Sequence, residues 1–368
     1  MKEFENKIYR RLLAPVLACL VLALAGCSQD ATEAEAPSSP TGGTYLTIVT
    51  RGINTTTPTE YEDYVGKLRV IAFDTDGNAV DGMNFTIDNM EDFPVQGSGD
   101  EAYIEVTHVF DSGIITSGVY TFYFVANEDG YKTTTESQTL SVALEAVTAE
   151  SALEDILVET QMKATGQIKP SATNMLMSTG PYTALIREGE NNRIGDDNHI
   201  ELIRAFAKAQ LALKLPNTTS SAPSNDDVTV TLSASIPNSF YLIPENTTEI
   251  TGIISLTDRE ISGGGTLFDA EGVSPDPFYV SETIYLPERY LANNNIEENA
   301  LTYSITIGEN NYSAPIADGT EDPVNYNIIR NYAYTTIGIY DPAVGVTLET
   351  LTYTVQPWGK GGGEHIFN

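Results

Sequence analysis

The chain has 368 residues, enough for two domains of ordinary size, each with its own core. Its 51 acidic residues against 19 basic ones give a formal charge of -32, which excludes nucleic acid and anionic lipid surfaces as partners because their phosphates would be repelled. The acids read as a solvating coat suited to the outside of a cell, and long runs of alternating Thr-, Asn- and Tyr-rich sequence predict a mostly β chain.

Met1 to Ala25 begins with Lys2, Lys7, Arg10 and Arg11 and continues as an apolar run from Leu12 to Ala25, too short for a membrane span, so it reads as a secretory signal. Cys19 lies inside that run. Leu24-Ala25-Gly26-Cys27 matches the lipobox of bacterial lipoproteins at every position, a resemblance that implies cleavage before Cys27 and acylation of its thiol. No thiol would then remain for a disulfide, a metal or a nucleophile. Ser28 to Gly43 is acidic and Pro/Ser/Gly-rich without apolar periodicity, which predicts a disordered tether reaching about 50 Å when fully stretched.

Thr44 to Gly52 (Thr-Tyr-Leu-Thr-Ile-Val-Thr-Arg-Gly) reads as a β-branched strand with both faces fit for burial, Leu46 and Ile48 alternating with Tyr45, Thr47 and Val49. It ends in the protease-type bond Arg51-Gly52, with polar chain beyond it. Two readings follow: a first edge strand with an ordinary surface arginine, or a temporary strand cut free so that subunits can polymerise.

Further strands are predicted at Lys67 to Phe73, Ala102 to Phe110, Gly118 to Ala126 and Met175 to Gly180. Asp74-Thr75-Asp76-Gly77-Asn78 reads as an Asp-Gly hairpin turn and fails the EF-hand pattern, since Phe85 stands where that pattern needs a glutamate. Leu153, Ile156 and Leu157 at helical spacing predict one short amphipathic helix within Ala149 to Gln161. Arg187 to His199 is polar throughout and reads as the connection between domains. Ile200 to Leu215 fits either period and is read as a strand because its neighbours are β. The second half repeats the pattern at Val228 to Ile236, Ser239 to Ile243, Ile250 to Leu256, Phe278 to Leu286, Leu301 to Ile307, Tyr332 to Tyr340 and Val346 to Val355. Gly263-Gly264-Gly265 reads as a spacer loop, without the helix that a phosphate cradle requires.

No enzymatic chemistry stands out. His108, His199 and His365 have no metal-ligand spacing, and no Gly-x-Ser-x-Gly elbow exposes a serine. Paired carboxylates give no positive signal, and no cofactor is implied. Trp358 is the single tryptophan and could be a core plug or an interface anchor.

Taken together the chain resembles the fimbrillins, the type V pilins of Gram-negative gut and oral anaerobes. The carriers are Cys27, Thr50-Arg51-Gly52, Leu-Arg-Val-Ile-Ala-Phe-Asp-Thr-Asp-Gly from Leu68 and Met-Leu-Met-Ser-Thr-Gly from Met175. Arg-Ala-Phe-Ala-Lys-Ala from Arg204, Phe-Tyr-Val-Ser-Glu-Thr-Ile-Tyr-Leu-Pro-Glu from Phe278, Arg330-Asn331-Tyr332-Ala333-Tyr334 and Val355-Gln356-Pro357-Trp358 complete the set. The resemblance implies an all-β fold of two transthyretin-like β-sandwich domains in tandem, at 52–190 and 191–368, with one short helix in the first. Residues 1–26 would be the lipoprotein signal and 27–51 the lipidated tether and removable strand. It also implies outer-membrane export through the lipid, cleavage by an arginine-specific protease between Arg51 and Gly52, and loss of the strand carrying Tyr45, Leu46, Ile48 and Val49. The C-terminal strand of a neighbouring copy, or of a related pilin subunit, would fill the vacated groove.

The residues support a donor in one respect. The apolar phase runs Val346, Leu348 and then shifts by three to Leu351, Tyr353 and Val355, which predicts two strand pieces with a kink. Burying these side chains would contribute about 7 to 15 kcal/mol gross. Ordering the tail costs about 1 to 2 kcal/mol per residue, so ladder hydrogen bonds and a preformed groove must supply the balance. The same stretch could instead be an intramolecular last strand. Within that family the resemblance favours a stalk subunit of an adhesive fimbrium and leaves a tip subunit open; a monomeric glycan-binding surface lipoprotein, or the anchor subunit of the same pilus, is the alternative function.

Overall fold

The computed structural model describes residues 44–51, 64–96, 103–111, 113–135, 138–161, 174–195, 199–216, 221–233, 235–244, 248–255, 259–267, 276–317, 324–341 and 345–357. Cys27, Gly52 and Trp358 lie outside the described residues.

In chain order the strands begin with β1 (Thr44–Arg51), β2 (Lys67–Phe73), β3 (Ala79–Asp88), β4 (Val95–Gln96), β5 (Tyr103–Phe110) and β6 (Gly118–Ala126). Helices α1 (Leu140–Glu145) and α2 (Glu150–Glu154) follow, then β7 (Leu157–Glu159), β8 (Met177–Ser178), β9 (Tyr182–Ile186), β10 (Asn191–Ile194), β11 (Ile200–Glu201), β12 (Ile203–Arg204) and β13 (Phe206–Lys214). The remainder is β14 (Val228–Ser233), β15 (Ser235–Pro237), β16 (Ser239–Tyr241), β17 (Ile253–Ser255), β18 (Arg259–Ile261), β19 (Tyr279–Val280), β20 (Ile284–Pro287), β21 (Thr302–Ile307), β22 (Asn310–Pro315), β23 (Tyr332–Asp341) and β24 (Gly345–Pro357).

The fold is all-β and its main sheets come in two face-to-face pairs. In the first pair, one sheet runs β10-β1-β5-β4 with β11 also against β1, and the other runs β12-β8-β6-β2-β3 with β9 also against β6. Phe85 of β3 stacks on His108 of β5 at 4.2 Å and meets Phe110 edge-on at 5.4 Å, which locks these two sheets together. In the second pair, β19-β13-β23-β24 with β20 against β13 faces β18-β14-β21-β22. Across that interface the Tyr279 hydroxyl donates to the Ile261 carbonyl at 3.1 Å, and Tyr312 and Tyr340 pack at 6.2 Å.

Gly-Val-Tyr-Thr-Phe-Tyr-Phe-Val-Ala makes β6 buried along most of its length, and α2 packs on it. Tyr123 there donates to both Glu150 and Glu154 of α2 and packs edge-on against Phe73. The one short helix expected within Ala149 to Gln161 is α2, and α1 precedes it outside that range. Thr139 caps α1 by accepting from the Val142 amide, and Leu140 and Leu144 supply its buried face. The apolar spacing that suggested a longer helix breaks after Leu153, because Leu157–Glu159 leaves to pair with β16. Asp74 behaves as the turn reading requires: its carboxylate accepts from the amides of Asp76 and Asn78, and Gly77 takes φ 78°.

Arg187 to His199 is not simply a connection, since it contains β10. Asn191 and Arg193 point outward while Asn192 and Ile194 are buried, so half of this strand is polar by position. Ile200 to Leu215 is extended, but it breaks into β11, β12 and β13, which join three different sheets in turn. The passage from the first sheet pair to the second therefore falls at Ala205, whose amide donates to the Leu176 carbonyl.

Around that passage several sequence motifs meet. Arg204 donates to the Asn331 side chain at 2.8 Å, and Asn331, at φ 61°, donates its amide to Phe206. Arg330 is buried against Glu288 at 2.6 Å and also donates to the carbonyls of Leu242 and Tyr241. Buried side chains from both sheet pairs, from Leu46 to Tyr334, form one continuous cluster. The described residues from Thr44 onward correspondingly fall in a single compact unit.

Candidate functional site

The strand that ends at Arg51 lies in the interior of its sheet. β1 pairs antiparallel with β5 over its whole length, from Thr44 opposite Phe110 to Arg51 opposite Tyr103. On its other side it runs parallel to β10, from Tyr45 beside Asn191 to Ile48 beside Ile194, and then to β11, with Thr50 beside Ile200 and Arg51 beside Glu201. The edge-strand reading is therefore corrected. A strand hydrogen-bonded on both sides has its backbone groups paired alternately with one neighbour and the other, and leaves no free edge.

Both faces of β1 are covered. Thr44, Leu46, Ile48 and Thr50 point inward, and Leu46 at 1% and Ile48 at 0% exposure belong to the main core beside Val106 and Ile194. Thr47 and Val49 point the other way and are nonetheless 1% and 0% exposed, while Tyr45 is half-buried. The Thr47 hydroxyl donates to Asn191 Oδ1 at 2.8 Å and sits 3.0 Å from the Thr107 hydroxyl, linking the three strands on that face.

The turn between β9 and β10 grips the start of the strand. Tyr45 donates its amide to the Glu190 carbonyl, Gly189 donates to Thr44 Oγ1, and Asn192 donates to the Tyr45 carbonyl. Gly195 permits the return from β10 to β11, because a Cβ there would stand 2.0 Å from the His199 carbonyl oxygen. Its φ of 113° also suits glycine.

At the other end of the chain, β24 pairs antiparallel with β23 and closes one side of its sheet. The register jumps: Ile337 lies opposite Thr352 but Ile339 lies opposite Thr347, so residues 348–351 bulge against Gly338 alone. This irregularity falls where the apolar phase shifts between Leu348 and Leu351. The backbones of Val346, Leu348, Leu351, Tyr353 and Val355 all lie within β24, on the same chain as their partner strand.

Among the described residues no three His, Cys, Asp or Glu side chains gather in a metal-ligating group. His108 is a packing residue, and burial among Phe85 and Phe110 pushes its pKa below the usual imidazole range. The glycine triplet is an edge contact. Gly264 and Gly265 donate their amides to the Val280 carbonyl, and a Cβ on Gly265 would meet the Ser281 carbonyl oxygen at 2.0 Å. Sequence reasoning did not single out β10, which with β11 makes the parallel half of the β1 seat. Asn191-Asn192-Arg193-Ile194 carries too little apolar signal to be seen without its partner.

A family model described as major fimbrial subunit protein (FimA) matches residues 45–233, beginning within β1 and ending with β14. No curated protein matches the sequence. Among solved structures, the tip fimbrial protein Mfa3 from Porphyromonas gingivalis, in a form with C-terminal truncation, is 15% identical. It covers 86% of this chain and 100% of its own, with a TM-score of 0.55. A fimbrial assembly protein from Parabacteroides distasonis is 13% identical and covers 85% of this chain and 98% of its own, with a TM-score of 0.50. At these identities the two structures share the fold.

Proposed function

The chain belongs to the FimA family of major fimbrial subunits, and from that premise we propose that it is a stalk subunit assembled by exchange of β1 for the C-terminal strand of a neighbour. Membership makes it a fimbrial subunit, structural or adhesive, of the cell surface that associates with other pilin subunits. The finer reading adds export as a lipoprotein acylated on Cys27, cleavage of Arg51-Gly52 by an arginine-specific protease, and release from the outer membrane into the fimbrium. The two sheet pairs would be its two domains, expected from the sequence at 52–190 and 191–368; the pairing of β10, β11 and β12 within the first two sheets favours a boundary near Ala205 instead.

The observation that carries this reading is the position of β1: an eight-residue strand, enclosed on both edges and both faces, that ends at Arg51. Its Leu46, Ile48 and Val49 side chains together contribute on the order of 5 to 9 kcal/mol gross by burial. Cutting one peptide bond beyond Arg51 removes none of those contacts and none of the ladder bonds. Cleavage alone would leave β1 seated, and only a strand that offers equivalent bonds could displace it step by step. β24 is suited to be that strand, since it spans thirteen residues, lies at the side of its sheet, and is already extended.

The direct experiment treats purified precursor with an arginine-specific protease, sequences the new N-terminus and runs the product unboiled on a gel. The expected result is Gly52 at the N-terminus and a ladder of polymers. Complete cleavage at Arg51 with monomer alone would overturn the exchange reading. Deleting Val346 to Asn368 should leave a protein that is cut at the same bond and does not polymerise; polymers from that variant would put the donor elsewhere.

A further inference from the structure

Two side-chain contacts pass over the outer face of β1 from one neighbouring strand to the other. Glu105 of β5 stands opposite Val49, and Arg193 of β10 stands beside Thr47; their side chains meet at 2.8 Å, Arg193 Nη2 to Glu105 Oε2. Tyr103 of β5 stands opposite Arg51, and His199 immediately precedes β11, whose Ile200 lies beside Thr50; their rings meet edge-on at 5.8 Å. All four residues occupy the outward register of the sheet. None belongs to β1.

These contacts account for the complete burial of Val49 and Thr47 on a face where the adjacent Thr107 and Val109 are exposed. The inward side of β1 is filled by the core. A strand leaving its seat sideways must therefore go outward, and the two contacts must part first. We propose that Glu105–Arg193 and Tyr103–His199 form a clasp over the β1 seat that governs the rate of strand exchange. Because every member stays with the acceptor subunit, the clasp can close again over whichever strand replaces β1. It thus gates the outgoing strand and retains the incoming one. The clasp demands side chains of the size of Thr47 and Val49 beneath it, which restricts what sequence can occupy that part of the groove.

This inference rests on the reading of β1 as an exchangeable strand, yet it is tested on the uncut full-length chain, so it does not depend on cleavage or polymerisation. Amide hydrogen exchange is measured for Thr44–Arg51, with Lys67–Phe73 of β2 as the internal control, in wild type, Glu105→Ala, Arg193→Ala and the double exchange Glu105→Arg with Arg193→Glu. Partly exposed ion pairs of this kind are worth little individually, so each alanine variant should speed exchange in β1 by about two- to five-fold while β2 is unchanged. The double exchange should restore the wild-type rate, which simple loss of packing would not do. Unchanged β1 exchange in both alanine variants, equal acceleration of β1 and β2, or failure of the swapped pair to restore the rate would each overturn the clasp. Failure of the stalk reading would instead show as missing polymers in protease-treated wild type.

Discussion

At the residue scale, much of what makes the sequence recognisable turns out to pin the fold. Arg69 of the Leu-Arg-Val-Ile-Ala-Phe motif is 2% exposed and forks onto Glu128 at 2.6 and 2.7 Å, with Lys67 adding a third contact at 3.0 Å. Arg330 and Glu288, each from a separate motif, make the equivalent buried pair near the passage between sheet pairs. Replacing Glu128 by Gln would leave the buried Arg69 guanidinium without its counter-charge, and should cost about 3 to 5 kcal/mol in a denaturant titration. Burial alone would raise the Glu128 carboxyl, but the hydrogen bonds and charges of Arg69 and Lys67 outweigh it and hold its pKa below the usual range. A carboxyl depressed in the folded state binds its proton more readily when unfolded. Its stabilisation is therefore complete above the unfolded carboxylate pKa and is lost as pH falls through that value toward the lower folded one. Wild type should thus lose stability on acidification with a steeper slope than Glu128→Gln; parallel pH profiles would count against the assignment.

At the scale of elements, β1 is the part whose removal changes most. Ile48 is fully buried beside Val106 and Ile194, so Ile48→Ala should destabilise the precursor by about 2 to 5 kcal/mol. In a protease-treated sample the same change should hasten loss of the β1 fragment from the cut subunit, followed by size-exclusion chromatography. A fragment that leaves wild type as fast as it leaves the variant would show that inward packing does not hold it. Sequence periodicity was informative here for β1, β2, β5 and β6, where β-branched and aromatic residues alternate. It missed β3, β9 and β22, which have wet faces, and β22 shows why: the first four residues of Asn-Asn-Tyr-Ser-Ala-Pro remain at least partly exposed. The kink in the last strand was legible because an apolar phase shift must appear as a bulge if both pieces keep their pairing.

At the scale of the whole molecule, charge sets the conditions for assembly. Residues 1–51 carry as many basic as acidic side chains, so the full excess of -32 resides in the part that would enter a fimbrium. Subunits of that charge repel one another, and the Debye length shortens from about 30 Å at 0.01 M salt to about 10 Å at 0.1 M. Polymerisation of cut subunits should accordingly accelerate as ionic strength rises over that range, read by light scattering. A rate that falls with salt would mean that attraction between opposite charges drives the encounter.

From its sequence alone this protein declared an all-β architecture, a strongly acidic charge, a Leu-Ala-Gly-Cys motif ending at Cys27 and an apolar strand ending in Arg51, because alternation, charge and short motifs are local properties. Tertiary structure alone decided that this strand lies inside its sheet, flanked by β5 on one side and by β10 and β11 on the other. Those partners stand more than fifty residues away along the chain, and β10 carries little pattern of its own. The clasp of Glu105 with Arg193 and of Tyr103 with His199 is equally beyond local reading, since parallel pairing with β10 and β11 brings together side chains that no periodicity links.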